Sequence, residues 1–208
     1  VTPADVAFLE ALKGDYFAAT REDPGLWSAP NGESLYRTAI RSWTSLDLDP
    51  TEVHAIGMAQ LESIEQERRA ISRAAGFGDD TAAYREAIGA DVANTPQTKD
   101  ELVARAAEDI ERAMAVAPQY FGVLPRALCE VRPVEEYKEK DAPFAYYYPP
   151  SPDGSRDGIY YANGYDLPSR KFSKLASSTY HEAAPGHHFQ ITLEMENPHL
   201  NAFRRMGA

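Results

Sequence analysis

Tyr180-His181-Glu182-Ala183-Ala184-Pro185-Gly186-His187-His188-Phe189-Gln190 gathers three of the chain's five histidines into eight residues, with a glutamate directly after the first. Neutral imidazoles bind zinc, and a carboxylate beside the metal takes a proton from its water. In the zinc-hydrolase pattern H-E-x-x-H the two histidines sit at i and i+4, on one helix face. Here the second histidine arrives at i+6 (His187) or i+7 (His188), with Pro185-Gly186 between. At about 100° per residue, i+7 returns to the same face roughly 10 Å further along the axis, while i+6 points away. Binding one metal therefore requires a broken helix. Pro185 lacks an N–H and clashes with the preceding turn, and Gly186 adopts backbone angles that other residues avoid. Pro-Gly reads as a two-residue bulge that carries His187 to where the second histidine of H-E-x-x-H would sit. On this reading His181 and His187 are metal ligands, His188 is the alternative to His187, and Glu182 is the general base. Tyr180 packs or donates to an oxyanion. The competing reading is a plain Pro-Gly turn between two helices that carry surface histidines.

Working outward, a helix over 169–184 carries the motif and a second continues over 189–196, with Pro198 opening a last short one. Upstream, β-type runs at 128–134, 144–148 and 158–163 follow a rise in aromatics and prolines after Tyr120. The turn cluster Ser151-Pro152-Asp153-Gly154-Ser155 joins the last two runs as an antiparallel pair. Before residue 118 the signals are helical. Thr2-Pro3 starts a helix running to about 20; Asp49-Pro50-Thr51-Glu52 starts another with an apolar stripe closed by Gly76. A short helix follows over 79–90. Thr98-Lys99-Asp100-Glu101 is a capping box for a helix reaching Pro118. Residues 33–44 fit a strand or a helix, and the alternation at Tyr36, Thr38 and Ile40 favours a strand. The layout is mainly α with a small antiparallel β-sheet (α+β). It divides into a helical scaffold, 1–118, and a sheet with the metal-motif helix, 119–208, or runs as one continuous domain.

The octapeptide His181-Glu182-Ala183-Ala184-Pro185-Gly186-His187-His188 resembles the H-E-A-x-P-G-H-H signature of the bacterial DUF885 family, which is grouped with gluzincin-type zinc metallopeptidases. Asn31-Gly32-Glu33-Ser34-Leu35-Tyr36, Leu48-Asp49-Pro50-Thr51-Glu52-Val53-His54, Phe121-Gly122-Val123-Leu124-Pro125 and Asp153-Gly154-Ser155-Arg156-Asp157-Gly158 are similar to further family blocks. The resemblance implies zinc as cofactor, a peptide or other amide as substrate, and hydrolysis with Glu182 moving the proton. It also implies an edge strand beside the metal helix that holds peptide backbone by strand addition. The run at 158–163 either takes that role, with Tyr161 and Asn163 touching substrate and Arg156 pairing with a substrate carboxylate, or is a plain structural hairpin with Arg156 in solvent. In the family a Glu-Gly-Trp segment after the histidines supplies the third ligand. Here Met206-Gly207-Ala208 closes the sequence first, so the expectation is a fragment with two of three ligands and weak or absent activity. Glu194 and Glu196 follow too closely on one helix to substitute. The competing function is a non-catalytic structural or partner-binding module whose histidines bind metal structurally or not at all.

Composition narrows the rest. A formal charge of −11, a pI near 4.9 and no basic run argue against nucleic-acid binding. The single Cys129 excludes an internal disulfide. No apolar run approaches the ~18–20 residues of a membrane span, and no signal peptide is legible. With Val1 in first place, cytoplasmic and exported locations both stay open.

Overall fold

Helices begin where side chains satisfy the first free N–H groups. The structure, a computed structural model, describes residues 2–23 and 25–206. It is mainly helical with one three-stranded sheet, an α+β arrangement. Backbone contacts divide it into two units, Val1–Thr81 and Ala82–Ala208.

In the first unit, Thr2 and Asp5 cap each other and open α1 (Pro3–Ala11). The helix expected to run to about 20 loses regularity over Leu12–Tyr16, where Gly14 leaves helical angles (φ −87°, ψ −121°). Residues 33–44 are not a strand but belong to α2 (Gly32–Thr44). Tyr36 and Ile40 suited alternation only because four is a multiple of two. Gly32, Tyr36 and Ile40 share a helix face, and Trp27 packs its ring 5.4 Å from Tyr36. Glu33 and Arg37 add an i,i+4 ion pair at 3.2 Å. In α3 (Pro50–Ala74), Asp49 accepts from the Thr51 N–H at 2.9 Å. Its apolar stripe stays largely exposed, and Ser72 is the buried residue of the helix.

The second unit starts from α4 (Thr81–Ala90) and α5 (Lys99–Val116). Thr98 accepts from the Glu101 N–H, while the Glu101 carboxylate reaches one residue further back, to the Gln97 N–H. Leu102, Ala106 and Ile110 recur at helical spacing and bury against Ala145, Tyr160 and Ala162 of the sheet and Leu175 and Ala183 beyond it. Because α5 supplies this core, it belongs with the sheet.

The sheet holds β1 (Cys129–Pro133), β2 (Ala145–Tyr148) and β3 (Gly158–Ala162) in the order β1-β3-β2. The turn at 151–155 pairs β2 and β3 antiparallel as expected, with Tyr147 opposite Tyr160. β1 lies parallel to β3, Cys129 opposite Gly158, so the sheet is mixed and not antiparallel. β3 is thereby the central strand. Beneath the sheet, α6 (Phe172–Glu182) packs on α5 and β2. It is followed by α7 (His187–Glu196) and α8 (Ala202–Met206).

Glu196 ties the far end of α7 to the approach of β1. Its carboxylate accepts from the Arg126 N–H at 3.0 Å, the Ala127 N–H at 2.9 Å and Arg126 Nε at 3.2 Å. Burial works against the charge, but these donors outweigh it and hold the pKa below its usual 4.5. A depressed carboxylate pKa stabilises the fold above the unfolded value, and that contribution is lost as pH falls through the folded value. Glu196→Gln is therefore expected to cost about 1–3 kcal/mol at pH 7 by chemical denaturation. The gap to the parent chain should narrow as pH falls below 4.5. A gap unchanged from neutral to acid pH would contradict this role for the carboxylate.

Candidate metal centre

The metal motif is built on an interruption. α6 ends at Glu182, where the Ala183 N–H donates to the Thr179 carbonyl at 2.9 Å and Ala183 leaves helical angles. Ala183 and Ala184 are fully buried, the first against the sheet core and the second against Ala117 and Phe189. The Ala184–Pro185 peptide bond is cis. Gly186 then lies directly over the end of α6. A Cβ there would stand 1.8 Å from the His181 carbonyl oxygen and 2.5 Å from that of Tyr180. Backbone cannot yield as a flexible side chain does, so only glycine fits this approach. α7 restarts immediately, with the Gln190 N–H on the Gly186 carbonyl at 3.1 Å.

This fold-back sets the His187 ring edge-on to His181, centroids 4.8 Å apart at 89°. His187 Nε2 lies 4.0 Å from a Glu182 carboxylate oxygen. One ligand atom from each of His181, Glu182 and His187 lies within 4.8 Å of the others, the one such trio among the described residues. Donors around a tetrahedral zinc are about 3.3 Å apart, so small side-chain rotations would close this set onto an ion. The donors also suit zinc chemically: two imidazoles and a carboxylate, reachable from solvent, with His187 47% and Glu182 20% exposed. The group fits.

His188 stands outside the trio. It is 1% exposed; Nδ1 lies 2.8 Å from the Tyr147 hydroxyl and 3.3 Å from Thr192 Oγ1, and Nε2 lies 3.1 Å from the Ala127 carbonyl. One neutral tautomer serves all of these, with Nε2–H donating to Ala127 and Nδ1 accepting. Burial lowers the His188 pKa and raises that of Tyr147 to about 12, which favours the uncharged pair. The pair presses on β3 where a Cβ at position 158 would lie 2.6 Å from the Tyr147 hydroxyl, hence Gly158. The adjacent histidines are thus divided: one joins the cluster and one anchors α7. Sequence reading missed Tyr147–His188 and Glu196–Ala127 as the contacts that orient α7, because the partners lie 41 and 69 residues apart in the chain and carry no local pattern.

The remaining expected site residues serve the scaffold. The strand at 158–163 has neighbours on both sides, so its assignment as a substrate-binding edge is overturned. Asn163 is 1% exposed, and its side-chain amide donates to the carbonyls of Glu139, Ala142 and Pro143 and accepts from the Tyr165 N–H. Tyr161 stacks on Tyr146 at 4.9 Å beneath Lys138. Arg156 donates to the Pro149 and Asp157 carbonyls and lies over the Tyr148 ring. The Tyr180 hydroxyl accepts from Arg112 at 3.1 Å, and Arg112 pairs with the fully buried Asp109. Glu194 accepts from Gln190, so it and Glu196 are both engaged along α7.

Gly186→Ala provides a geometric test. The added methyl meets main-chain atoms, so the fold-back must move and separate His187 from His181. Zinc affinity, measured by competition with a chromogenic chelator, is expected to fall at least about tenfold. Unchanged affinity would contradict the constraint.

The whole chain, residues 1–208, matches the family described as "Bacterial protein of unknown function (DUF885)". The fold is similar to the crystal structure of the "putative lipoprotein from Colwellia psychrerythraea", with a TM-score of 0.83 and 28% identity over 95% of this chain and 35% of that one. The chain therefore spans about a third of that protein's length. None of the curated proteins compared matches it. Among the described residues, no helix is long and apolar enough to cross a membrane. On the match over its whole length, the chain belongs to the DUF885 family.

Proposed function

We propose that this chain carries the metal centre of a zinc-dependent hydrolase acting on amide bonds, with peptides as the substrate class. The observation that carries the reading is the convergence of His181, Glu182 and His187 within 4.8 Å at a break that only glycine permits. His181 and His187 would hold the ion. Zinc bound there supplies Lewis acidity, bringing the pKa of a water to about 7. Glu182 follows a ligand directly in the chain, and its half-buried carboxylate is 4.0 Å from the second imidazole. There it accepts a proton from the attacking water and returns it to the leaving amine. His188 and Glu196 hold α7 so that His187 does not wander. The free edge beside α6 belongs to β2, so an extended peptide would add to that strand and not to β3.

A second reading keeps the same cluster but makes Glu182 a third ligand, which its place in the trio favours. Zinc titration of metal-free protein separates the two. In the first reading the chain binds one zinc, His181→Ala and His187→Ala lose it, and Glu182→Gln retains it. In a longer form of the protein that supplies the third ligand, the same Glu182→Gln substitution lowers peptide hydrolysis by about 10²–10⁴-fold. Loss of zinc from Glu182→Gln would instead make it a ligand. No zinc uptake either by the parent chain or by a longer form that supplies the third ligand would refute the hydrolase reading in both forms.

A further inference from the structure

We infer that the groove flanking the metal motif is a recognition pocket for an apolar side chain of the substrate, an inference that rests on the hydrolase reading above. The groove encloses about 380 Å³. One wall is the end of α5, at Ala113, Val116 and Ala117; the other is Ala184, Pro185 and Phe189. The second wall is the metal loop itself. Pro185 is three residues from Glu182 and two from His187, so its Cα lies within about 11 Å of each of theirs. The lining includes Tyr180 and Pro185, one residue from His181 and two from His187, so a side chain next to a scissile amide held at the cluster is within reach of the groove.

The walls also state the chemistry of that side chain. Phe121 packs on Phe189 at 4.7 Å and leaves 41% of its surface uncovered, and Val116 leaves 44%. The groove's polar end is Arg112 with Tyr180, but Arg112 already faces the fully buried Asp109 and donates to the Tyr180 hydroxyl. The pocket therefore offers apolar surface and a compensated cation. An aromatic or branched aliphatic group gains by burial there, whereas an acidic one would have to compete with Asp109.

The test uses the zinc-loaded full chain and two hydroxamates, acetohydroxamate and phenylpropionyl hydroxamate, followed by calorimetric titration. Both carry the same metal-binding group, and only the second carries a side chain for the groove. The phenyl compound is expected to bind at least about tenfold more tightly. Val116→Trp, which fills the mouth, and Val116→Asp, which charges it, should both remove that preference and leave acetohydroxamate affinity and zinc content unchanged. Val116 is exposed enough for both variants to fold, which thermal unfolding verifies. Equal binding of the two compounds, or a preference that survives both variants, overturns the pocket while leaving the metal centre standing. That is also the outcome if another part of the chain occupies the groove. A chain that takes up no zinc overturns the pocket together with the reading beneath it.

Discussion

Two main-chain carbonyls and one missing Cβ decide how this site is built. The carbonyls of Tyr180 and His181 close the end of α6, and Gly186 passes against them at a distance no other residue tolerates. That approach interrupts the helix for four residues and lets a new one start at His187. A continuous helix would set His181 and His187 on different faces; the fold-back makes their rings neighbours at 4.8 Å. Ala183 and Ala184, inside the break, bury completely in two different apolar clusters, so the interruption is held by packing as well as by backbone.

The rest of the second unit keeps that interruption in place. α6 is fixed by its apolar face on α5 and the sheet, with Leu175 and Ala183 against Tyr160 and Leu102. α7 buries little apolar surface beyond Phe189 and is positioned by polar anchors instead. His188 and Glu196, two turns apart on α7, both reach Ala127, one to its carbonyl and one to its N–H. These are partly buried bonds whose loss would leave unpaired polar groups, so their energetic weight exceeds that of the surface ion pairs. Fold and site share one logic: apolar packing holds α6, and hydrogen bonding sets the angle of α7.

Local signals were legible where a few adjacent residues determine the outcome. Caps at Thr2, Asp49 and Thr98 marked helix starts, and the 151–155 cluster marked the antiparallel turn. The His-Glu stretch and its Pro-Gly interruption could be argued from helix geometry alone. Long-range pairing could not. β1 joins β3 in parallel across some thirty residues, and nothing local announces it, so β3 read as an edge when it is the centre. The segment at 33–44 failed for another reason: spacing of four satisfies both periods, and only the exposure of Thr38 with the partial burial of Ala39 beside Ile40 distinguishes them. His188 could be told from His187 only once Tyr147 and Ala127, distant in sequence, were seen against its ring.

The most direct test of the account is the anomalous-scattering structure of crystals grown with zinc. The account predicts one zinc peak within about 2.1 Å of a ring nitrogen of both His181 and His187. In the same crystals His188 should remain on Tyr147 and Ala127. Zinc bound to His188, or placed away from residues 181–187, would contradict it.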